Sequence, residues 1–134
     1  MAHYVMGDIH GEADRFHAML ERIHLSEEDT LILLGDVIDR GPDGIALLLE
    51  IMEMPNVIML LGNHEYMMLQ YLSPDATGIE IRRWNKNGNA PTLAAYLDLV
   101  DRQVPGAHLA PGAVPYQECQ YLGSYPQTYH RILL

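Results

Sequence analysis

The sequence predicts an α/β protein built on a parallel sheet, and three features point to that class. Short apolar runs predict buried strands over residues 3–6, 30–34 and 57–61. Each run is followed by a glycine, then by polar residues and a helical pattern. The leading polar residues, Asp8, Asp36 and Asn63, are 28 and 27 residues apart, about one strand–helix repeat of a parallel sheet. Three strands should therefore deliver polar tips to one sheet edge, where open α/β sheets bind ligands.

Helical patterns connect these strands and follow the last of them. The predicted helices cover residues 12–24, 42–54, 64–72, 78–83 and 92–100. The first has an apolar face at the spacing of an amphipathic helix. Pro55 ends the second helix, and the run Ser73-Pro74-Asp75 breaks the third.

The composition changes at Asp101. From there prolines, glycines and tyrosines recur without the period of a strand or a helix. We therefore predict two parts: residues 1–100, which carry the motifs, and residues 101–134, an irregular Pro/Gly/Tyr-rich tail with low local order.

Length, charge and cysteine content limit the class of protein. The chain has 134 residues, enough for one domain with a sizeable core, and a formal net charge of −10 that argues against a nucleic-acid partner. The single cysteine, Cys119, cannot form an internal disulfide, which predicts a reducing, cytoplasmic environment. No signal peptide is recognisable, and no apolar stretch reaches the roughly 18 residues of a membrane span.

The loop from Gly35 to Gly41 is the most informative stretch for chemistry. It places Asp36, Asp39 and Arg40 within five residues of each other, and such a cluster is costly without a charged ligand. Carboxylates suit hard or borderline cations, and a guanidinium suits phosphate. The loop therefore predicts a site for metal ions and a phosphate group.

Three sequence motifs resemble the signature motifs of a known family. Gly-Asp-Ile-His-Gly, Gly-Asp-Val-Ile-Asp-Arg-Gly and Gly-Asn-His-Glu resemble the signature of the calcineurin-like metallophosphoesterases. More narrowly, they resemble the serine/threonine phosphoprotein phosphatases and their bacterial and phage members. The stretch from Trp84 to Asn89 is similar to the Trp-x-x-Asn-Gly-Gly element of that branch, with Asn89 replacing its last glycine. The resemblance covers roughly residues 3–100 and implies the N-terminal half of an αββα sandwich.

The resemblance also implies a pair of divalent metal ions. Asp8, His10 and Asp36 would hold one ion, while Asp36 would bridge to a second ion that Asn63 also binds. A mixed oxygen and nitrogen donor set suits Mn, Fe or Zn, and the sequence does not choose among them.

The catalytic roles follow from the same resemblance. A metal-bound hydroxide would attack phosphorus, and Arg40 would clamp the phosphate oxygens as a planar fork. His64 would protonate the leaving alkoxide, and Asp39 would orient and charge its ring. Glu65 is either a charge at a helix N-terminus or an anchor for a loop.

The C-terminal part departs from the family pattern. The family completes its second metal site with two histidines from its C-terminal half, and the contexts of His108 and His130 match them poorly. We therefore expect one ion to bind more firmly than the second, and activity to be impaired. The family also covers the second sheet face with that half. Here the tail or a second copy of the chain must cover it, which predicts self-association.

Several functions are compatible with these motifs. The leading hypothesis is a metal-dependent phosphomonoesterase, a serine/threonine protein phosphatase-like enzyme acting on phosphoproteins or small phosphoesters. A variant of it is a dinucleoside polyphosphate hydrolase. The alternative is a truncated remnant that binds metal or phosphate without catalysis.

Overall fold

A computed structural model describes residues 1–103, and the later residues, His108, Cys119 and His130 among them, lie outside this part. The described chain alternates strands with helices and then adds two further helices. The strands are β1 (His3–Met6), β2 (Thr30–Leu33) and β3 (Val57–Met59); the helices are α1 (Ala13–Ile23), α2 (Gly44–Glu53), α3 (Asn63–Leu72), α4 (Gly78–Lys86) and α5 (Ala90–Gln103).

The three strands form a parallel sheet in the order β1-β2-β3, which confirms the predicted α/β class. In this register Val5 lies opposite Ile32, and Ile32 lies opposite Ile58. Backbone pairing continues past β3, where Leu60 N–H donates to the Leu33 carbonyl at 2.8 Å. The carboxyl ends of all three strands therefore lie together at one edge, as the sequence predicts.

One sheet face is covered by helices and forms the first core. Leu31, Leu33 and Met59 point to that face and are at most 1% exposed, packing with Phe16 of α1 and Leu47 of α2. A second core joins α3, α4 and α5 through buried side chains: Met67, Met68, Tyr71, Trp84, Tyr96 and Val100. The two cores hold the sheet edge and the later helices in one packed unit.

The opposite sheet face is open within residues 1–103. Val5 of β1 is 62% exposed and Ile58 of β3 is 40% exposed, with the partly buried Ile32 between them in register. Leu34 and Leu60, which follow β2 and β3, are also exposed. An apolar row of this kind is expected to associate with another apolar surface.

We expect this open face to cause concentration-dependent self-association, measured by sedimentation velocity. Ile58→Lys should weaken the association, because it places a charge in the apolar row. Ile79→Lys is the matched control, since Ile79 on α4 is 58% exposed and the charge change is the same. A chain that stays monomeric at every concentration, or that responds equally to both substitutions, would show that this face is not involved.

The later helices are longer than predicted. A capping box between Thr77 and Glu80 starts α4, which continues to Lys86, so Trp84 is helical. The predicted end of the motif region at residue 100 falls inside α5, which continues to Gln103; the rest of the predicted tail lies outside the described residues. No helix among residues 1–103 has the length and apolarity to cross a membrane.

Candidate active site

The predicted site residues lie on three neighbouring loops at the carboxyl edge of the sheet. The β1–α1 loop carries Asp8 and His10, the β2–α2 loop carries the central motif, and α3 begins at Asn63. Backbone hydrogen bonds join the first two loops, because Ile9 N–H and His10 N–H both donate to the Asp36 carbonyl, at 3.0 and 2.9 Å. The sheet topology and these bonds place the three motifs side by side.

Asp8 and His10 form the first pair of predicted metal ligands. His10 Nδ1 is 2.9 Å from the Ile38 carbonyl oxygen, and since a carbonyl only accepts, Nδ1 carries the proton. Nε2 therefore keeps its lone pair, and it lies 3.6 Å from Asp8 Oδ2. Two ligands of one tetrahedral ion with bonds of about 2.1 Å are about 3.4 Å apart. This pair has the spacing and the protonation of two groups that share a cation.

Asp36 and Asn63 form the second pair. The Asn63 amide nitrogen, when turned toward Asp36, donates to its Oδ1 and Oδ2 at 3.1 and 2.9 Å. A ligand role for Asn63 requires the opposite orientation, with the amide oxygen toward the ion. Asp36 Oδ1 also accepts the backbone N–H of His64 at 3.0 Å. This bond fixes the carboxylate against the start of α3.

These two pairs fit a divalent cation in donor type. His10 supplies an unprotonated imidazole nitrogen, Asp8 and Asp36 supply carboxylates, and Asn63 supplies an amide. Within residues 1–103, however, no three imidazole, carboxylate or thiolate groups converge on one point. The structure thus assembles the predicted metal ligands as pairs, and their division between two ions stays a prediction.

Glu65 anchors the central loop. Its Oε1 accepts the backbone N–H of Asp36 at 2.5 Å, and its Oε2 accepts those of Val37 and Ile38 at 3.1 and 3.3 Å. Of the two roles considered for this residue, the contacts identify the loop anchor. Gly62 makes room for it, because a Cβ there would lie 2.5 Å from Asp36 Oδ1 and 2.7 Å from Glu65 Oε1.

Burial changes the acidity of this anchor. Glu65 is 2% exposed, and desolvation raises the pKa of its carboxyl to about 7, although hydrogen bonds from the loop N–H groups oppose the shift. The negative charge of Asp36 raises the pKa further. Ionising Glu65 in the folded chain therefore costs free energy.

We expect Glu65 to make metal-free protein less stable as the pH rises from about 4.5 to about 7. Over that range the unfolded chain releases this proton while the folded chain keeps it, so the free energy of unfolding falls by about 3 kcal/mol in total. Urea unfolding in chelator at pH 5 and pH 8 measures the fall. Glu65→Gln cannot ionise at this position. We expect it to be less stable than the wild type at pH 5, and its free energy of unfolding should not show the fall that Glu65 causes. An equal pH dependence in both proteins would contradict the assignment.

His64 and Asp39 form a buried pair next to His10, one of the predicted metal ligands. His64 is 2% exposed and Asp39 is 0% exposed, and His64 Nδ1 is 2.7 Å from Asp39 Oδ2. The carboxylate holds the proton on Nδ1 and leaves Nε2 as the second functional nitrogen. The His10 ring packs edge-on against the His64 ring, with centroids 4.7 Å apart. The predicted acid therefore lies next to a predicted metal ligand.

Arg40 lies on the exposed side of the same loop. Its backbone is in the left-handed region, with φ 70°, and its N–H donates to the Gly88 carbonyl at 2.9 Å. Asp39, with φ 72°, is also left-handed. With these two left-handed residues, the consecutive side chains point in different directions: the Asp39 carboxylate is buried and the Arg40 guanidinium is exposed.

Two residues that hold Asp39 carry no predicted role. Trp84 Nε1 donates to Asp39 Oδ2 at 2.7 Å, and Asp39 N–H donates to Thr92 Oγ1 at 2.8 Å. Both lie more than 40 residues later in the chain. The Trp-x-x-Asn-Gly element was the only signal in the sequence, and it gives no indication of what the indole contacts.

Comparison with known proteins agrees with this geometry. The sequence profile described as calcineurin-like phosphoesterase matches residues 1–127. The chain is 33% identical over 105 residues to a symmetrical bis(5'-nucleosyl)-tetraphosphatase of Wigglesworthia glossinidia brevipalpis, a match that covers 77% of this chain and 39% of the relative. It is 38% identical over 104 residues to the protein of that name from Delftia acidovorans, a match that covers 76% of this chain and 34% of the relative.

A third relative with that name, from Yersinia pestis strain Pestoides F, is 39% identical over 71 residues, which cover 52% of this chain and 25% of the relative. The chain thus spans well under half the length of these curated relatives. The profile, in contrast, matches nearly the whole chain, and the matched range includes the three loops described above. The chain therefore belongs to the calcineurin-like phosphoesterase family.

Proposed function

We propose that the protein hydrolyses a phosphoester or phosphoanhydride bond with the help of divalent metal ions, and that its substrates are symmetrical dinucleoside polyphosphates. The observation that carries the proposal is the meeting, at one sheet edge, of two metal-donor pairs with a buried histidine–carboxylate pair. Metal donors, a phosphate-binding arginine and a proton donor are the parts that phosphoryl transfer to water requires.

Each residue has a defined task in this proposal. Asp8, His10 and Asp36 would hold one ion, and Asp36 with Asn63 would hold the other. When bound, such ions lower the pKa of a water molecule and offset the negative charge of the phosphate.

The remaining residues act on the phosphate and its leaving group. The exposed guanidinium of Arg40 binds phosphate oxygens through its planar fork. His64 gives a proton from Nε2 to the leaving oxygen. Asp39 holds Nδ1 in place and stabilises the charged ring before the proton is given up.

The choice of substrate rests on the relatives. The sequence motifs favour a serine/threonine phosphoprotein phosphatase, whereas the relatives named above are symmetrical bis(5'-nucleosyl)-tetraphosphatases. The names of the relatives favour the dinucleoside polyphosphate, so the phosphoprotein becomes the second candidate. A cytoplasmic location is part of the proposal, supported by the single cysteine of the sequence.

A direct comparison of substrates tests the proposal. The purified chain with Mn²⁺ should cleave bis(5'-adenosyl) tetraphosphate with a higher kcat/KM than a phosphoserine peptide. A higher kcat/KM for the peptide would favour the phosphoprotein phosphatase. If the chain binds metal but cleaves neither substrate, the proposed catalytic function is wrong.

One observation favours a non-catalytic remnant as the competing function. Residues 1–103 contain no cluster of three metal ligands of the carboxylate, imidazole or thiolate type. Such a protein would bind metal or phosphate without turnover. Turnover at Mn²⁺ concentrations high enough to fill both predicted sites separates the two functions, because cleavage of either substrate supports catalysis and metal binding without cleavage supports the remnant.

A further inference from the structure

The Asp39 carboxylate is held from two sides at the centre of the site. It is fully buried, and a single oxygen, Oδ2, lies 2.7 Å from both His64 Nδ1 and Trp84 Nε1. The two donors come from different helices, α3 and α4. The indole N–H can only donate, so its presence requires a lone pair of Oδ2 to point at Trp84.

We propose that Trp84 is a positioning residue for the histidine–carboxylate pair. Its indole N–H fixes the rotation of the Asp39 carboxylate, and the carboxylate in turn fixes the ring of His64. This inference rests on the proposed function, because the orientation of His64 matters for turnover only if His64 acts on substrate.

The conformation of the loop explains why Asp39 needs support from outside. Asp39 and Arg40 both have left-handed φ angles, which are unfavourable for non-glycine residues. Backbone contacts to the chain after α3 oppose that cost. Asp39 N–H donates to Thr92 Oγ1 at 2.8 Å, and Arg40 N–H donates to the Gly88 carbonyl at 2.9 Å. The segment from Trp84 to Thr92 therefore holds the backbone of the loop as well as its carboxylate.

Trp84 is itself rigidly placed. It is 0% exposed, and the ring of Tyr71 packs edge-on against it with centroids 5.0 Å apart. The approach of the segment to the loop also demands a glycine: Gly88 has φ 86°, and a Cβ there would lie 2.9 Å from Arg40 Cγ. A donor fixed in this way can define the position of its acceptor.

Loss of the indole N–H should release the carboxylate. Asp39 Oδ1 is buried and has no hydrogen-bond partner among the described residues, so it does not resist rotation of the group. The His64 ring would then follow the carboxylate, and proton transfer from Nε2 would become less frequent. Substitutions in groups that orient a metal-binding histidine reduce activity by roughly 10- to 100-fold, and we expect a loss of similar size here.

The first test reads the hydrogen bond without any turnover. Trp84 is the only tryptophan in the sequence, so the ¹⁵N-labelled chain gives one indole N–H correlation. We expect the chemical shift of this indole proton to lie downfield and the proton to exchange slowly with water. In Asp39→Asn the chemical shift should move upfield, because a neutral acceptor binds the proton less strongly. Asp98→Asn, an exposed carboxylate on α5, is the control and should leave it unmoved. An indole signal that Asp39→Asn does not move would overturn the inference.

The second test reads the effect on His64. Trp84→Phe removes the donor, and benzothienylalanine at position 84, with sulfur in place of the N–H, does so while keeping the shape of the ring. We expect kcat to fall roughly 10- to 100-fold for alkyl phosphomonoesters, with KM and nitrophenyl phosphate turnover nearly unchanged. The isostere gives the result should Trp84→Phe not fold.

The outcomes separate the inference from the function that it rests on. Equal losses on both substrate types, or no loss with the isostere, would overturn the positioning role and leave the proposed function intact. A wild-type chain that binds metal yet cleaves neither phosphoesters nor bis(5'-adenosyl) tetraphosphate would overturn the proposed function, and the positioning role with it, whatever the indole signal shows.

Discussion

Asp36→Asn should remove nearly all metal-dependent phosphoesterase activity. Asp36 is the residue that both predicted ions share, so the substitution removes a negative charge from each of them. Outer groups that merely orient a metal ligand are worth roughly 10- to 100-fold in activity or metal affinity. A bridging carboxylate should therefore be worth at least about 100-fold. Initial rates with Mn²⁺ measure the loss.

The controls for this experiment are a chelator and a distant carboxylate. Activity of the wild type should disappear with chelator and return with added Mn²⁺. Asp75→Asn, an exposed position beyond α3, should keep full activity. Activity that survives both chelator and Asp36→Asn would locate the chemistry elsewhere or in a contaminant.

His64→Asn should reduce turnover of a serine phosphomonoester by about 10²–10⁴-fold, the usual contribution of a general acid. The loss should be much smaller for nitrophenyl phosphate, because nitrophenolate leaves without needing a proton. His64 is buried, with Asp39 2.7 Å from its Nδ1, so the substitution removes the proton donor at the centre of the site. Steady-state kinetics on the two substrates give the ratio.

A stability measurement serves as the control for His64→Asn. The free energy of unfolding shows whether the variant is folded under assay conditions, since the residue is buried against Asp39. If a folded variant loses the same factor on both substrates, His64 is structural rather than an acid.

The sequence predicts the sheet and the placement of the site because these depend on local patterns. Continuous apolar strands and regularly spaced loops are enough to predict a parallel sheet with its polar tips at one edge, and the structure has this arrangement. The open sheet face within residues 1–103 also follows from strand pattern, because helices cover one side only. The same patterns place the helix ends less accurately, as the extension of α4 past Trp84 shows.

The contacts that stabilise the central loop could not be predicted in the same way. Asp36, Asp39 and Arg40 adopt left-handed φ angles that no local propensity favours over the alternatives for these residue types. They are maintained by long-range contacts: Glu65 binds the loop N–H groups from α3, and Trp84 binds Asp39 from α4. Such contacts depend on the packing of helices around the second core, which a single sequence does not specify.

The metal ligands are intermediate between these two cases. The motifs predict Asp8, His10, Asp36 and Asn63 as ligands, and the structure places these residues in two pairs at the predicted edge. Their convergence on two ions depends on side-chain orientations that the ions themselves would select, such as that of the Asn63 amide. The expected imbalance between the two ions also depends on His108 and His130, which lie outside the described residues.

Calorimetric titration of the chain with Mn²⁺ tests the central claim most directly. We expect one ion to bind firmly through Asp8, His10 and Asp36, and a second to bind only at much higher concentration, because Asn63 is a neutral donor. Asp36→Asn should abolish firm binding, whereas Asp75→Asn should not change it. Firm binding that persists in Asp36→Asn, or no binding by the wild type, would contradict a metal site at this sheet edge; two equally firm ions would contradict the expected imbalance.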